Sequence, residues 1–141
     1  MTNHLEYKDS DFEKLFETAQ LDPSLFSHEA HLRLAWIHVT KYGVETACSN
    51  LRKQLQAYVT RLGESDKYND TVTLACTQAV DHFVNRSKSR NFSDFIEEFP
   101  ILKTNMKELL EQHYSIDIFK SETARKNYVS PDLQDFDQPI H

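Results

Sequence analysis

The residues SHEAHLRLAWIHVTKYG, positions 27–43, predict an α-helix with both of its ends marked in the sequence. Ser27 is a favourable N-cap residue, and Glu29 places a negative charge in the first turn, where the helix dipole favours it. The helix is predicted to continue to about Tyr42. Gly43 then predicts a left-handed C-cap, because glycine adopts a positive φ without steric cost.

Similar signals on both sides of this helix divide the rest of the chain into further helices. A helix is predicted over 44–62, with apolar residues at helical spacing on one face and Gly63 at its end. Asn91 is predicted to cap a short helix that Pro100 closes. The other helical segments are predicted at 11–20, at about 69–86, at 104–114 and at 121–128.

The amino-acid composition also favours a helical fold. Glycine and proline number 2 and 4 in 141 residues, whereas average usage would give about 17 together. Two glycines cannot form a G-x-G-x-x-G or Walker A phosphate loop, and no window alternates as a strand does. We therefore predict an all-α fold. The chain would form one domain over 1–141, a bundle of about six to seven helices with an irregular, extended tail from about residue 130.

Charge and hydropathy limit the partners. Lys and Arg number 16 against 22 Asp and Glu, giving a net charge of −6. This balance argues against nucleic acid, and the basic cluster at 86–90 is interpreted as a solvated loop. No apolar run approaches the roughly 20 residues that span a bilayer, and the N-terminus lacks a signal-peptide core. A cytoplasmic protein without a membrane partner is predicted. Cys48 and Cys76 are interpreted as buried small residues.

Two histidines carry the main functional hypothesis. His28 and His31 are three residues apart, so they lie about 60° apart around the helix and about 4.5 Å apart along its axis. Two imidazoles so placed could share one divalent transition metal, or could transfer protons. His38 lies about 10 Å further along the same side. In the alternative interpretation His31 packs on Phe26, the two forming a hydrophobic staple.

A second candidate segment begins the helix over 69–86. Tyr68 precedes this helix, and Thr71 begins a semi-polar stripe that ends at His82. The stripe could line a cavity together with His28 and His31. Alternatively, Asn69 and Thr71 simply satisfy the amides of the first turn.

Arg125 belongs to a third candidate segment, residues 121–133. It could pair with Asp132 and hold the tail on the body of the protein, or it could bind a substrate carboxylate through its guanidinium group.

Three motifs together resemble a family of small all-helical bacterial proteins. They are Phe-Ser-His-Glu-Ala-His-Leu at 26–32, Tyr-Asn-Asp-Thr-Val-Thr at 68–73, and the segment from Ser121 to Leu133 that contains Ala-Arg-Lys-Asn-Tyr-Val-Ser-Pro-Asp-Leu. The resemblance implies an all-α fold in which the three motifs converge, and it brings no activity. Asn69 stands where the family pattern has histidine. If that histidine were a metal ligand, Asn69 would weaken or abolish the metal site here.

Two classes of function follow from these features. The leading hypothesis is a small-molecule pocket between helices, which either binds its ligand without a metal or acts as an enzyme through a mononuclear metal site or a histidine acid–base site. Its catalytic residues would be His28, His31 and Tyr68, of which the two histidines are the tentative metal ligands. Its ligand-binding residues would be Thr71, His82 and Arg125. The alternative is a non-catalytic interaction or regulatory module, with a homodimer formed through the helix face of Phe92, Phe95 and Phe99.

Overall fold

The computed structural model describes residues 3–136, and these form eight α-helices with no β-strand among them. The prediction of an all-α fold is confirmed. Three 3-10 helices, His4–Glu6, Pro23–Leu25 and Ser65–Lys67, lie between or before the α-helices. The α-helices are α1 (Asp9–Glu17), α2 (His28–Tyr42), α3 (Val44–Arg61), α4 (Asp70–Val84), α5 (Phe92–Glu98), α6 (Ile101–Thr104), α7 (Met106–Glu111) and α8 (Glu122–Lys126).

The N-caps read from the sequence are confirmed. The side chain of Ser27 accepts a hydrogen bond from the amide of Ala30 at 3.1 Å, and Asn91 serves α5 in the same way. The cap after α2 differs in detail. Gly43 has the predicted positive φ of 86°, but its ψ of 161° is extended, so it leads directly into α3 and forms no left-handed C-cap.

Two helices near the C-terminus are shorter than predicted. The segment expected as one helix over 104–114 is preceded by α6, for which Pro100 acts as the N-cap, and Asn105 separates α6 from α7. A proline at the start of a helix costs no hydrogen bond, which explains why Pro100 begins a helix as well as ending one. The last helix ends at Lys126 because the chain turns to hydrogen-bond with α4.

The core lies around α2, whose largest contacts are with α3 and α4. The phenylalanine stripe of α5 belongs to this core. Phe92 and Phe95 are 3% and 0% exposed, and both rings pack against Trp36. Two of the three rings proposed for a homodimer interface are thus used within the chain, and a homodimer as such stays a prediction.

The N-terminal segment is held by a buried arginine. Arg33 is 4% exposed, and its guanidinium donates to the carboxylate of Asp9 and to the carbonyls of His4 and Tyr7. The imidazole of His4 in turn contacts Glu29 at 2.9 Å. These bonds fix residues 4–9 against the first half of α2.

The C-terminal segment lies across α7 and the turn that follows it. We call residues 131–136 the strap. The amide of Leu133 donates to the carbonyl of His113 at 3.0 Å, and Asp132 accepts bonds from the amide and hydroxyl of Ser115. The strap has no helix, as predicted for the tail, and the rest of that tail, 137–141, lies outside the described residues.

The prediction that no segment spans a membrane can be compared with the helices of the described residues 3–136. None of their helices combines the length and the apolar character that crossing a bilayer requires.

Cys48 and Cys76 are both buried, as predicted, and burial raises the pKa of each thiol to about 12.

Candidate functional site

His28 and His31 begin α2, but they have different environments. His28 is exposed, and its Nε2 atom lies 3.0 Å from the carbonyl oxygen of Leu102. His31 packs against the ring of Phe26 with ring centroids 5.7 Å apart, which is the staple contact considered in the sequence. Its Nε2 atom is buried and finds no hydrogen-bond partner among residues 3–136. Burial, and secondarily the neighbouring His28, lowers the pKa of His31 to about 4.

The two histidines offer different ring atoms to a ligand. A carbonyl oxygen only accepts, so Nε2 of His28 carries the proton of the bond to Leu102, and the lone pair of a neutral ring lies on Nδ1. The same atom of His31 is enclosed by protein. Within the part of the chain that the structure describes, no three His, Cys, Asp or Glu side chains are grouped so that they could hold a metal ion.

Tyr68 lies beside an ion pair between the buried carboxylate of Asp70 and the exposed guanidinium of Arg52. Its hydroxyl donates to the carboxylate of Asp70 at 2.6 Å, and the same carboxylate receives a bidentate pair of bonds from Arg52 at 2.9 and 2.8 Å. Burial raises the pKa of Tyr68, and the bond to Asp70 raises it further. The phenol is thus a neutral donor that helps to hold Asp70 at the start of α4, opposite the middle of α3.

Asn69 and Thr71 connect the first turn of α4 to distant segments. Asn69 caps the amide of Val72, as the alternative interpretation predicted, and its amide group also donates to the carbonyl of Ile118 at 2.9 Å. The hydroxyl of Thr71 donates to the carbonyl of Asn127 and accepts from the amide of Val129, both at 3.0 Å. Thr71 is fully buried. Its hydroxyl therefore fastens the chain after α8 instead of facing a cavity.

Arg125 also has a structural partner, which differs from the one considered in the sequence. Its guanidinium forms two bonds to Glu122, at 3.1 and 2.9 Å, and one to the carbonyl of Asp66. Asp132 is bound by Ser115 instead. The suggested pairing of Arg125 with Asp132 is thus corrected. An arginine three residues from a glutamate on the same helix meets it without any loop having to close.

His82 is the predicted residue that lines a cavity. The cavity has a volume of about 110 Å³ and lies between the C-terminal half of α4, the end of α7 and the strap. We call it the strap cavity. Helix α4 contributes Ala79, His82 and Phe83, the region of α7 contributes Leu109, Gln112 and His113, and the strap contributes Gln134, Asp135 and Phe136.

Within the wall of this cavity, His113 contacts the strap directly. Its ring stacks on Phe136 with centroids 4.0 Å apart and planes inclined by 15°. Its Nδ1 atom lies 2.7 Å from the carbonyl of Gln134. Because the carbonyl can only accept, Nδ1 carries the proton in this bond, and Nε2 of a neutral ring then holds the lone pair. The strap thus fixes both the plane and the tautomer of this imidazole.

The structure separates most of the predicted site residues. Thr71 and His82 are eleven positions apart on α4, so they lie about 16 Å apart along its axis and cannot contact one small ligand. The strap cavity is lined by neither His28 nor His31, and by neither Tyr68 nor Thr71. The predicted single pocket is therefore divided among several places, and His82 is the one predicted site residue that lines the strap cavity.

Sequence reasoning missed the strap half of this cavity. The partners of His113 lie in the tail, which the sequence predicts to be extended. One signal was available, because Phe136 is an aromatic residue in an otherwise polar terminal segment. An aromatic ring in such a segment gains free energy by docking on the body of the protein.

Comparisons of the chain with models of protein families, with curated protein sequences and with solved structures give no match. The resemblance to a family of small bacterial proteins accordingly stays a prediction.

Proposed function

We propose that this protein binds a small polar molecule in the strap cavity, between His82 and His113. The observation that carries the proposal is a cavity of about 110 Å³ with an imidazole of fixed tautomer at its wall. Polar groups converging on a partly apolar cavity are the usual mark of a small-molecule site. Asp135 and the two glutamines supply further hydrogen-bonding groups, while Phe83 and Phe136 supply apolar walls.

The size of the cavity limits the ligand. Its volume of about 110 Å³ is well below the roughly 300–1,000 Å³ of sites for drug-sized molecules. The ligand would be a fragment of few non-hydrogen atoms. Nε2 of a neutral His113 and the carboxylate of Asp135 both accept hydrogen bonds, so the proposal favours a ligand rich in N–H or O–H donors, such as a small amide or amino alcohol. Any proton transfer in this cavity would fall to Nε2 of His113.

The proposal contains no metal ion. The pair His28 and His31, which the sequence suggested as ligands, lies outside the strap cavity. A protein metal site usually takes three or more side-chain ligands, and residues 3–136 contain no group of three His, Cys, Asp or Glu side chains that could hold an ion. We therefore expect metal analysis of the purified protein to find no stoichiometric ion that a His28→Ala/His31→Ala variant loses.

Nuclear magnetic resonance tests the binding proposal directly. Acetamide, glycinamide and ethanolamine serve as probes, added to the full chain at neutral pH while the imidazole and side-chain amide signals are followed. We expect saturable shifts at His82, His113 and Gln134, and their loss in His113→Phe, which keeps a ring for Phe136 to stack on. The control variant His28→Gln changes an exposed imidazole outside the cavity and should bind normally. Shifts that are absent, or that survive His113→Phe, would refute the proposal.

A further inference from the structure

The strap is held on the protein by contacts to one short segment. Each hydrogen bond that joins it to the rest of residues 3–136 reaches residues 113–115. Residues 132–135 of the strap are exposed, and Phe136 is its one buried side chain, with its ring stacked on that of His113. A segment with so few buried contacts opens at a lower free-energy cost than the helices around it.

The chain just before the strap is fixed by buried partners. The amide of Val129 donates to the hydroxyl of Thr71 at 3.0 Å, and its carbonyl accepts from the hydroxyl of Tyr114 at 2.8 Å. Thr71 and Tyr114 are both buried. Ser130, which is exposed, is the single residue between this anchor and the strap. The strap can therefore leave its place by rotation about Ser130 while the bonds of Val129 stay intact.

The strap covers a part of α4 that would otherwise face the solvent through the strap cavity. It supplies Gln134, Asp135 and Phe136 to the lining, opposite Ala79 of α4. With the strap in place, Ala79 is only 3% exposed. If the strap left, the cavity would lose one wall, and His113 would lose both the stacked ring and the bond that fix it.

We propose that the strap is a lid on the strap cavity. It opens about Ser130 while the helices stay folded, and the bonds between Ser115 and Asp132 are its latch. The carboxylate of Asp132 accepts from both the amide and the hydroxyl of Ser115. Hydrogen bonds to an ionised acceptor are stronger than neutral ones, so this pair contributes much of the stability of the closed lid.

The lid gives the proposed ligand a way in and a means of being retained. A molecule in the cavity touches His82 of α4 and Gln134 of the strap together, so it binds the closed state better than the open one and shifts the lid toward closure. The purpose of the lid therefore rests on the proposed ligand binding. Its opening needs no ligand, and the test below uses none.

A cysteine placed at position 79 reports the opening. In Ala79→Cys the new thiol lies on the cavity wall, where iodoacetamide alkylates it when the lid is open. Peptide mapping by mass spectrometry distinguishes this thiol from Cys76, three residues earlier on α4, which is buried in the core. Cys76 reacts only when the helices themselves separate, so it is an internal control for wider unfolding.

Two variants weaken the latch in the Ala79→Cys background. Asp132→Asn keeps the size of the side chain and removes its charge, and Ser115→Ala removes the hydroxyl. We expect each to raise the alkylation rate at position 79 about tenfold, the factor that corresponds to one lost hydrogen bond to a charged group. The rate at Cys76 should not change. Glu108→Gln removes an exposed carboxylate of α7 that forms none of the bonds of the strap, and it should change neither rate.

Hydrogen exchange repeats the test in a chain without the added cysteine. The amide of Leu133 donates to the carbonyl of His113 only while the lid is closed. We expect this amide to exchange about tenfold faster in Asp132→Asn than in the unaltered protein, with the amides of α4 unchanged.

Two results would overturn the lid. One is an alkylation rate at position 79 that is the same in the latch variants and in Glu108→Gln. The other is a parallel increase at position 79 and at Cys76, because the helices would then open together with the strap. The proposed function fails separately. A lid that opens as expected, in a protein that binds none of the small-molecule probes, would refute the binding and leave the lid, whereas probe binding with an unresponsive strap would do the reverse.

Discussion

At the scale of single residues, His31 shows how burial changes the meaning of a motif. A histidine three positions from another suggests a ligand pair, but here the ring lies on Phe26 and its Nε2 atom lacks a partner in residues 3–136. Desolvation disfavours the imidazolium ion, which lowers the pKa of His31 to about 4. The neutral ring then contributes to stability by packing, as an apolar side chain would.

This depression predicts a pH dependence of stability. The unfolded chain binds a proton at His31 near its ordinary pKa of about 6.5, whereas the folded protein binds it only near pH 4. The free energy that the neutral His31 ring contributes to stability is therefore present above about pH 6.5, and it is lost as the pH falls toward 4. We expect His31→Leu to remove about 2 kcal/mol of the decrease in unfolding free energy between pH 7 and pH 5. Urea denaturation at both pH values measures it, and His28→Gln is the control. An imidazole signal of His31 titrating near pH 6.5 would contradict the assignment.

At the scale of elements, Asn69 joins the start of α4 to the loop before α8. Its side-chain oxygen caps the amide of Val72, and its side-chain NH₂ group donates to the carbonyl of Ile118. An aspartate keeps the first bond and loses the second, so we expect Asn69→Asp to cost about 1 kcal/mol and Asn69→Ala about 2 kcal/mol. Chemical denaturation of both variants gives the two values. No loss in Asn69→Asp would mean that the bond to Ile118 adds nothing, and equal losses in the two variants would mean that the cap on Val72 adds nothing.

The helices could be predicted from sequence where their signals are local. Ser27 and Asn91 cap amides three residues away, and those caps are correct. The candidate site could not be predicted, because partners distant in the chain decide it. From the sequence, Thr71 could line a cavity. In the structure its hydroxyl bonds to the segment after α8, which is more than fifty residues later in the chain. His82 gained its cavity only because the strap covers it. The spacing of apolar residues predicts helices, but it does not predict which distant segments pack against each other.

At the scale of the whole molecule, both ends of the described chain are docked on the bundle by polar contacts. Thr71 fastens the chain after α8, and Ser115 and His113 fasten the strap. At the other end, the guanidinium of Arg33 satisfies two backbone carbonyls and one carboxylate. The terminal segments thereby cover a core that eight helices, several of them very short, would otherwise leave open to water.

Removing Arg33 should therefore release the N-terminal segment. Arg33→Met keeps the apolar stem, but it leaves the carbonyls of His4 and Tyr7 without donors. We expect it to cost about 3 kcal/mol, since deleting one partner of a buried charged network leaves polar groups desolvated and unpaired. Urea denaturation measures the loss, and hydrogen exchange should show residues 4–9 opening before the helices of the core. The exposed Arg90, changed to methionine, is the matched control and should cost far less. Equal stability of the two variants would mean that the segment is held by the packing of Phe12 and Phe92 around His4 instead of by Arg33.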